Sequence, residues 1–207
     1  MKLILIRHGE TEWNRERRVQ GRTDIKLNER GILQAQSIGK RLADCGICAV
    51  YSSPLSRALY TGEQIACGSG CPLYVRDGLT EIQFGVWEGR AIEEISRDYP
   101  GQWKNWGIHP ELPAAEGAES LNEIENRAVR VVEEILSAHG ANDTVAITSH
   151  TMPVKSIIGH YAGIPSTAFQ RIRIDNCSYN MLMLYPDGGA QLFTMNDTTH
   201  LYKEGLL

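Results

Sequence analysis

Two histidines stand where apolar runs stop. Residues 3–6 (LILI) end at Arg7-His8-Gly9, and residues 144–149 (TVAITS) end at His150. A buried strand that finishes on a guanidinium and an imidazole carries two costly groups unless something anionic meets them. In an open α/β sheet, ligands bind beyond the carboxyl ends of the strands. If these two strands are neighbours, both imidazoles face one crevice. Alone, each histidine reads as a satisfied polar residue at a strand end; the pair with its arginines points to chemistry. Arg57 falls in the first turns of the helix after the second strand, at the same rim. Asn14 and the amides after Gly9 add donors. Two guanidiniums, two imidazoles and an amide suit a tetrahedral dianion, a phosphoryl group.

Catalysis needs a nucleophile and a proton donor as well. The sequence has no Walker lysine pattern, no G-x-G-x-x-G and no Asp-x-Asp metal cluster. A neutral histidine can itself attack phosphorus when a bond to one ring nitrogen orients the other. The acid is offered by LTEIQFGVWEGR at 79–90, where Glu81 is embedded among Leu79, Ile82, Phe84 and Trp87. Partial burial there would raise its pKa and hold its proton near neutral pH. Glu88 is the rival, but before Gly89-Arg90 it looks like a turn or helix-start carboxylate.

These groups need a scaffold. Residues 2–6 read as a fully buried strand. Asn28 can cap a helix to about Asp44, with Ile32, Ala35, Ile38 and Leu42 on one face and Gly46 as its stop. CAVY at 48–51 is a short buried strand. A helix then starts with Ser53 as cap and Pro54 at its first position. PLYV at 72–75 is another strand. A long helix covers 119–138, followed by the TVAITS strand and a helix from Met152. YNMLMLY and AQLFTM flank Pro186-Asp187-Gly188-Gly189 as a hairpin. Alternating strands and helices predict an α/β fold, a parallel sheet covered on both faces, with an antiparallel addition from the hairpin. One domain over 1–207 is expected, with a flap insertion at about 84–118. Its part at 99–118, rich in Gly, Pro and Trp, reads either as a loop over a pocket or as an excursion packed by its own tryptophans.

Composition bounds the partners. The 207 residues are 42% hydrophobic, enough for a sizeable core, and the net charge is −4 without a long basic run. Nucleic acid and membranes are therefore not expected partners. The first apolar run is too short for a signal peptide or a span, so a cytoplasmic protein is expected. Cys45 and Cys48 are spaced C-x-x-C, with Cys67 and Cys71 following, a superficial zinc pattern. The odd total of five cysteines in the chain, the places of Cys45 and Cys67 at helix ends and that of Cys48 at the start of an apolar run favour reduced structural cysteines.

RHGETEWN at 7–14 resembles the opening signature of the histidine phosphatase superfamily, the phosphoglycerate mutase-like clan. Gln20-Gly21, LNERG at 27–31, SSPLSRALYT at 52–61, EIQFGVWEG at 81–89, GAES at 117–120, TSH at 148–150 and NDTTHL at 196–201 resemble further landmarks in that family's order. The match spans essentially the whole chain. The resemblance implies a three-layer α/β/α sandwich with a mixed, mainly parallel six-stranded sheet. It implies that His8 is phosphorylated, that Arg7, Arg57 and His150 clamp the phosphoryl oxygens and that Glu81 is the proton donor. Asn14, Gln20, Gly21 and Thr151 join Arg7, Arg57 and Glu81 in substrate binding. No metal or organic cofactor is implied. Thr151-Met152-Pro153 departs from the glycine many relatives carry after the second histidine and would crowd that wall.

The short chain and the Phe84-Gly85-x-Trp87 run resemble the phosphatase branch. The expected activity is metal-independent hydrolysis of a small phosphomonoester such as α-ribazole phosphate, phosphoserine or a sugar phosphate. Alternatives are a phosphoglycerate mutase or a silent phosphate-binding regulator, although the latter would be expected to have lost His8, Glu81 or an arginine. The working unit is expected to be a monomer or homodimer.

Overall fold

The computed structural model describes every residue except 107 and 110. The strands are β1 (Lys2–Arg7), β2 (Ile47–Ser52), β3 (Leu73–Val75), β4 (Thr144–Ser149), β5 (Tyr179–Leu184) and β6 (Ala190–Asp197). They form one sheet in the order β3-β2-β4-β1-β5-β6. The first four in that order run parallel, and β5 and β6 add antiparallel pairings. β1 and β4 are neighbours, in register from Lys2 opposite Thr144 to Arg7 opposite Ser149. His8 and His150 therefore leave the sheet side by side, and the His8 amide still donates to the Ser149 carbonyl at 3.0 Å.

The unbroken apolar run of β1 has a simple cause. Leu3 and Leu5 pack with one cluster, Ile4 and Ile6 with another, so both faces of the strand are covered. A short helix, α1 (Glu12–Arg15), follows β1. On the first face lie α6 (Leu121–Ala138) and α7 (Thr151–Ala162), through Val131, Val132, Val154 and Ile157. On the second lie α2 (Glu29–Leu42) and α3 (Ser56–Ser69), through Ala35, Ile38, Leu42 and Ile65, with Leu201 of the short α8 (Thr199–Lys203). This is the α/β/α arrangement expected. Among the described residues, no helix is long and apolar enough to cross a membrane.

α2 begins as its sequence suggests. Asn28 accepts from the Gly31 amide at 2.8 Å. A β-carbon at Gly31 would run into the Glu10 carbonyl oxygen, and one at Gly9 into the Gly31 carbonyl. The helix start thus packs directly on the segment that follows His8. Gly31→Ala is expected to destabilise the fold by about 1–3 kcal/mol through overpacking. It should also lower kcat as residues 9–11 shift; thermal melts and steady-state kinetics check both.

Two local expectations change. α3 starts at Ser56, after Leu55, without a side-chain cap. Ser53 instead accepts from the Leu55 amide at 3.3 Å and turns toward His150, which takes it out of the capping role. The stretch 99–118 is not all loop. After α4 (Ile92–Asp98), Pro100 opens α5 (Pro100–Asn105) at its first position. Residues 107 and 110 of the expected flap lie outside the described residues. α5 is too short to show helical periodicity; its order comes from aromatic stacking. Trp103 and Trp106 stack with centroids 6.0 Å apart, and Trp103 leans on the buried Trp87 at 5.9 Å.

Candidate active site

A cavity of about 210 Å³ opens where β1 and β4 end. Arg7, His8, Asn14, Gln20, Gly21, Arg57, Glu81 and Thr151 all line it. His150, and Glu88 as the rival acid, are absent from the lining. Trp103 of α5, Trp106 just after it and Phe84 form part of the lining, so this segment both packs on itself and borders the pocket.

His8 is 2% exposed. Its Nδ1 lies 2.6 Å from the Gly9 carbonyl, which only accepts, so Nδ1 carries the hydrogen and Nε2 keeps its lone pair. Burial, then the Arg57 and Arg7 cations, hold its pKa well below the usual imidazole value. The ring is neutral at physiological pH. Its backbone carbonyl accepts from Asn176 Nδ2 at 2.9 Å, and the same amide reaches Asn14 Oδ1 at 3.3 Å. Asn14 Oδ1 also accepts from the Thr11 amide at 3.2 Å, so its own amide nitrogen is left for the cavity.

The two guanidiniums are held differently. Arg7 donates from Nη1 to the Ile174 carbonyl at 2.8 Å, and its buried Nε has no protein partner. Arg57 is fully buried and donates to the Gly21 and Thr23 carbonyls, each at 2.8 Å. Its Nε donates to His150 Nδ1 at 3.2 Å. That bond fixes the His150 tautomer: Nε2 carries the hydrogen and donates to Ser53 Oγ at 2.8 Å. His150 stands edge-on to His8, ring centroids 5.1 Å apart. With both nitrogens engaged, it orients Arg57 in this arrangement.

Glu81 lines the same cavity as His8, 8% exposed, its carboxylate against the first residues of α7. Oε2 accepts from the Thr151 amide at 3.1 Å; Oε1 accepts from Met152 at 3.1 Å and Ile82 at 3.0 Å. Burial raises its pKa and outweighs those amides and the nearby arginines, which pull it down. The Thr151 amide is thus spent on Glu81. The loop carrying Glu81 is fixed from behind by Arg127, which donates to the carbonyls of Gly78 (2.8 Å), Thr80 (2.7 Å) and Glu81 (3.0 Å). Glu88, the rival acid, is a clamp. It accepts from the amides of Arg22, Thr23 and Phe84, each at 3.1 Å. Gly21, at φ +54°, is needed there because a β-carbon would collide with the Glu88 carboxylate. Gln20 is buried on the same loop, its Oε1 without a protein partner.

Sequence reasoning missed Lys155, Arg18, Ser53, Asn176 and Arg127. Lys155 is the one with a visible signal, a cation inside the apolar helix MPVKSIIG. It is 9% exposed, lines the cavity, and donates to the Phe169 carbonyl at 2.7 Å. Burial pushes its pKa down to about 8, Glu81 partly restoring it. Arg18 stands on another wall, donating to the Gly89 carbonyl at 3.0 Å.

With this geometry in place, comparison with known proteins is informative. The family model described as "Histidine phosphatase superfamily (branch 1)" matches residues 3–198. Phosphoserine phosphatase 1 of Hydrogenobacter thermophilus is 34% identical over 201 residues, 97% of this chain and 94% of that protein. A probable phosphoglycerate mutase GpmB of Erwinia tasmaniensis is 34% identical over 205 residues, 97% of this chain and 95% of that protein. Among solved structures, a phosphoserine phosphatase mutant from Entamoeba histolytica in complex with phosphoserine superposes with a TM-score of 0.86. It is 30% identical, covering 97% of this chain and 98% of that one.

Proposed function

The chain belongs to the histidine phosphatase superfamily, and from that premise we propose that it hydrolyses small phosphomonoesters through a phosphohistidine formed on His8. The observation that carries the proposal is the pairing of a neutral imidazole, lone pair on Nε2, with a buried carboxyl held toward its protonated form, in one cavity with two guanidiniums. Nε2 attacks phosphorus in line. The bond from phosphorus to the ester oxygen breaks, and Glu81 gives its proton to the leaving alkoxide. The Glu81 carboxylate then takes a proton from water, whose oxygen attacks phosphorus and breaks the N–P bond, freeing His8 and inorganic phosphate. Arg7 and Arg57 offset charge on the transferring oxygens, and the unpartnered Nε of Arg7 is ready to donate to one. Hydrolysis of p-nitrophenyl phosphate in excess chelator tests the activity; turnover only on adding metal would count against it.

Lys155 narrows the substrate. A buried ammonium with one carbonyl partner is costly unless an anion completes it. A leaving group with its own carboxylate, of the phosphoserine or phosphoglycerate kind, supplies that charge; a neutral sugar or ribazole does not. Lys155→Met is expected to raise KM for phosphoserine by about 10–100-fold, the worth of a charge-assisted bond. KM for p-nitrophenyl phosphate, whose leaving group is uncharged apart from the phosphate, should stay within about threefold. Equal effects on both substrates would remove Lys155 from recognition. The GpmB relatives favour a second reading, mutase action on phosphoglycerate; interconversion of phosphoglycerate isomers faster than phosphate release would select it. We place this chemistry in the cytoplasm, carried out by a monomer or homodimer with neither nucleic acid nor membrane as partner.

A further inference from the structure

We propose that Cys48, His139 and Asp143 form a binding site for one borderline-soft divalent cation, zinc by preference, at the end of the sheet away from the phosphate cavity. The three residues come from separate elements: the start of β2, the residue that ends α6 and the turn leading into β4. Cys48 Sγ lies 3.7 Å from His139 Nδ1, and His139 Nδ1 lies 3.7 Å from Asp143 Oδ2. All three ligand atoms are within 4.8 Å of one another. Zinc at about 2.3 Å from sulfur and 2.0–2.1 Å from nitrogen or oxygen, in tetrahedral array, sets its ligand atoms roughly 3.3–3.6 Å apart. Closing the site takes tenths of an ångström at each of the two His139 pairs and at most about 1.5 Å between Cys48 and Asp143.

Each ligand is also oriented. The register between β2 and β4 slips between Ile47 and Ala49, so Cys48 occupies a bulge, a device that re-aims a side chain out of the ladder. Tyr51 OH lies 2.9 Å from His139 Nε2 and can accept its hydrogen; a cation at Nδ1 selects that tautomer, in which the Nδ1 lone pair faces the thiol and the carboxylate. Asp143 Oδ2 accepts from the Gly140 amide at 2.8 Å, holding the carboxylate in its turn. One thiolate, one imidazole and one carboxylate select zinc or cobalt over magnesium or calcium. The fourth position is left to water. Binding would form a metal–sulfur bond and release the Cys48 proton to solvent. The six residues of β4 separate Asp143 from His150, about 20 Å at 3.3 Å per residue, so the cation takes no part in phosphoryl transfer. By tying β2 to α6 and β4, it would stabilise the native state.

The test is cobalt titration of chelator-stripped protein under a non-thiol reductant. One equivalent is expected to produce thiolate-to-cobalt charge transfer in the near ultraviolet with strong tetrahedral d–d bands, which zinc then bleaches. Zinc should raise Tm. Cys48→Ser and Asp143→Asn should abolish both signals with turnover of p-nitrophenyl phosphate unchanged, and Tyr51→Phe should weaken cobalt binding by about 10–100-fold. No charge-transfer band at saturating cobalt would overturn the proposal. So would a band that survives Cys48→Ser, or one lost in His8→Ala, which would put the metal in the phosphate cavity.

Discussion

Replacing His8 with alanine is expected to lower kcat for p-nitrophenyl phosphate by about 10⁴-fold or more, the size of effect seen when an enzyme loses its nucleophile. The reason is specific to this site. The Nδ1 bond to the Gly9 carbonyl leaves one nitrogen with a lone pair, and burial beside two arginines keeps that nitrogen unprotonated. Among the described residues lining the cavity, His8 is the one imidazole. Binding of inorganic phosphate should persist within a few-fold in the same variant, because Arg7 and Arg57 are untouched. Isothermal titration with phosphate beside steady-state kinetics separates loss of the nucleophile from collapse of the site.

Glu81→Gln carries the second large expectation. With phosphoserine, whose alkoxide needs a proton to leave, kcat should fall by about 10²–10⁴-fold. The cleavage step for p-nitrophenyl phosphate should suffer less, since its phenolate leaves unaided, although hydrolysis of the phosphohistidine still lacks its base. A burst of p-nitrophenol followed by slow turnover is the expected signature in stopped flow. The pH profile follows from the two shifts. His8 must be neutral and its pKa lies low, so the acid limb sits well below the usual imidazole range. Glu81 must be protonated and its pKa lies high, so kcat/KM falls on the alkaline side as that proton is lost. Glutamine cannot titrate, and the alkaline limb assigned to Glu81 should vanish in the variant. The substrate's own ionisation near pH 6 is common to both enzymes and cancels in the comparison.

Much of the positioning frame is local, and local features were legible in the sequence. β1 stops just before His8 because its four apolar residues give way to Arg7, the Asn28 cap forms within three residues, and α6 shows its apolar face in Leu121, Ile124, Ala128 and Val132. The adjacency of β1 and β4, only a condition in the sequence, is seen in the register. What stayed hidden depends on contacts distant in sequence. Ser53 looked like a cap because Ser-Pro often opens a helix; its partner is His150, 97 residues away. Arg127 reads as a solvated helix arginine until its carbonyl partners 46 to 49 residues earlier are known. α5 was missed because six residues held by stacked tryptophans show no helical period. The C-x-x-C spacing drew attention to Cys45 and Cys48, yet Cys48 finds its neighbours in His139 and Asp143, which no short motif connects.

The most direct test is to quench the enzyme during turnover of a phosphomonoester and map the phosphate under alkaline conditions that preserve phosphohistidine. Acid-labile phosphate on the His8 imidazole, forming and decaying at rates compatible with kcat, is the predicted result. Full activity with no such adduct, or with the phosphate on a different residue, would contradict it.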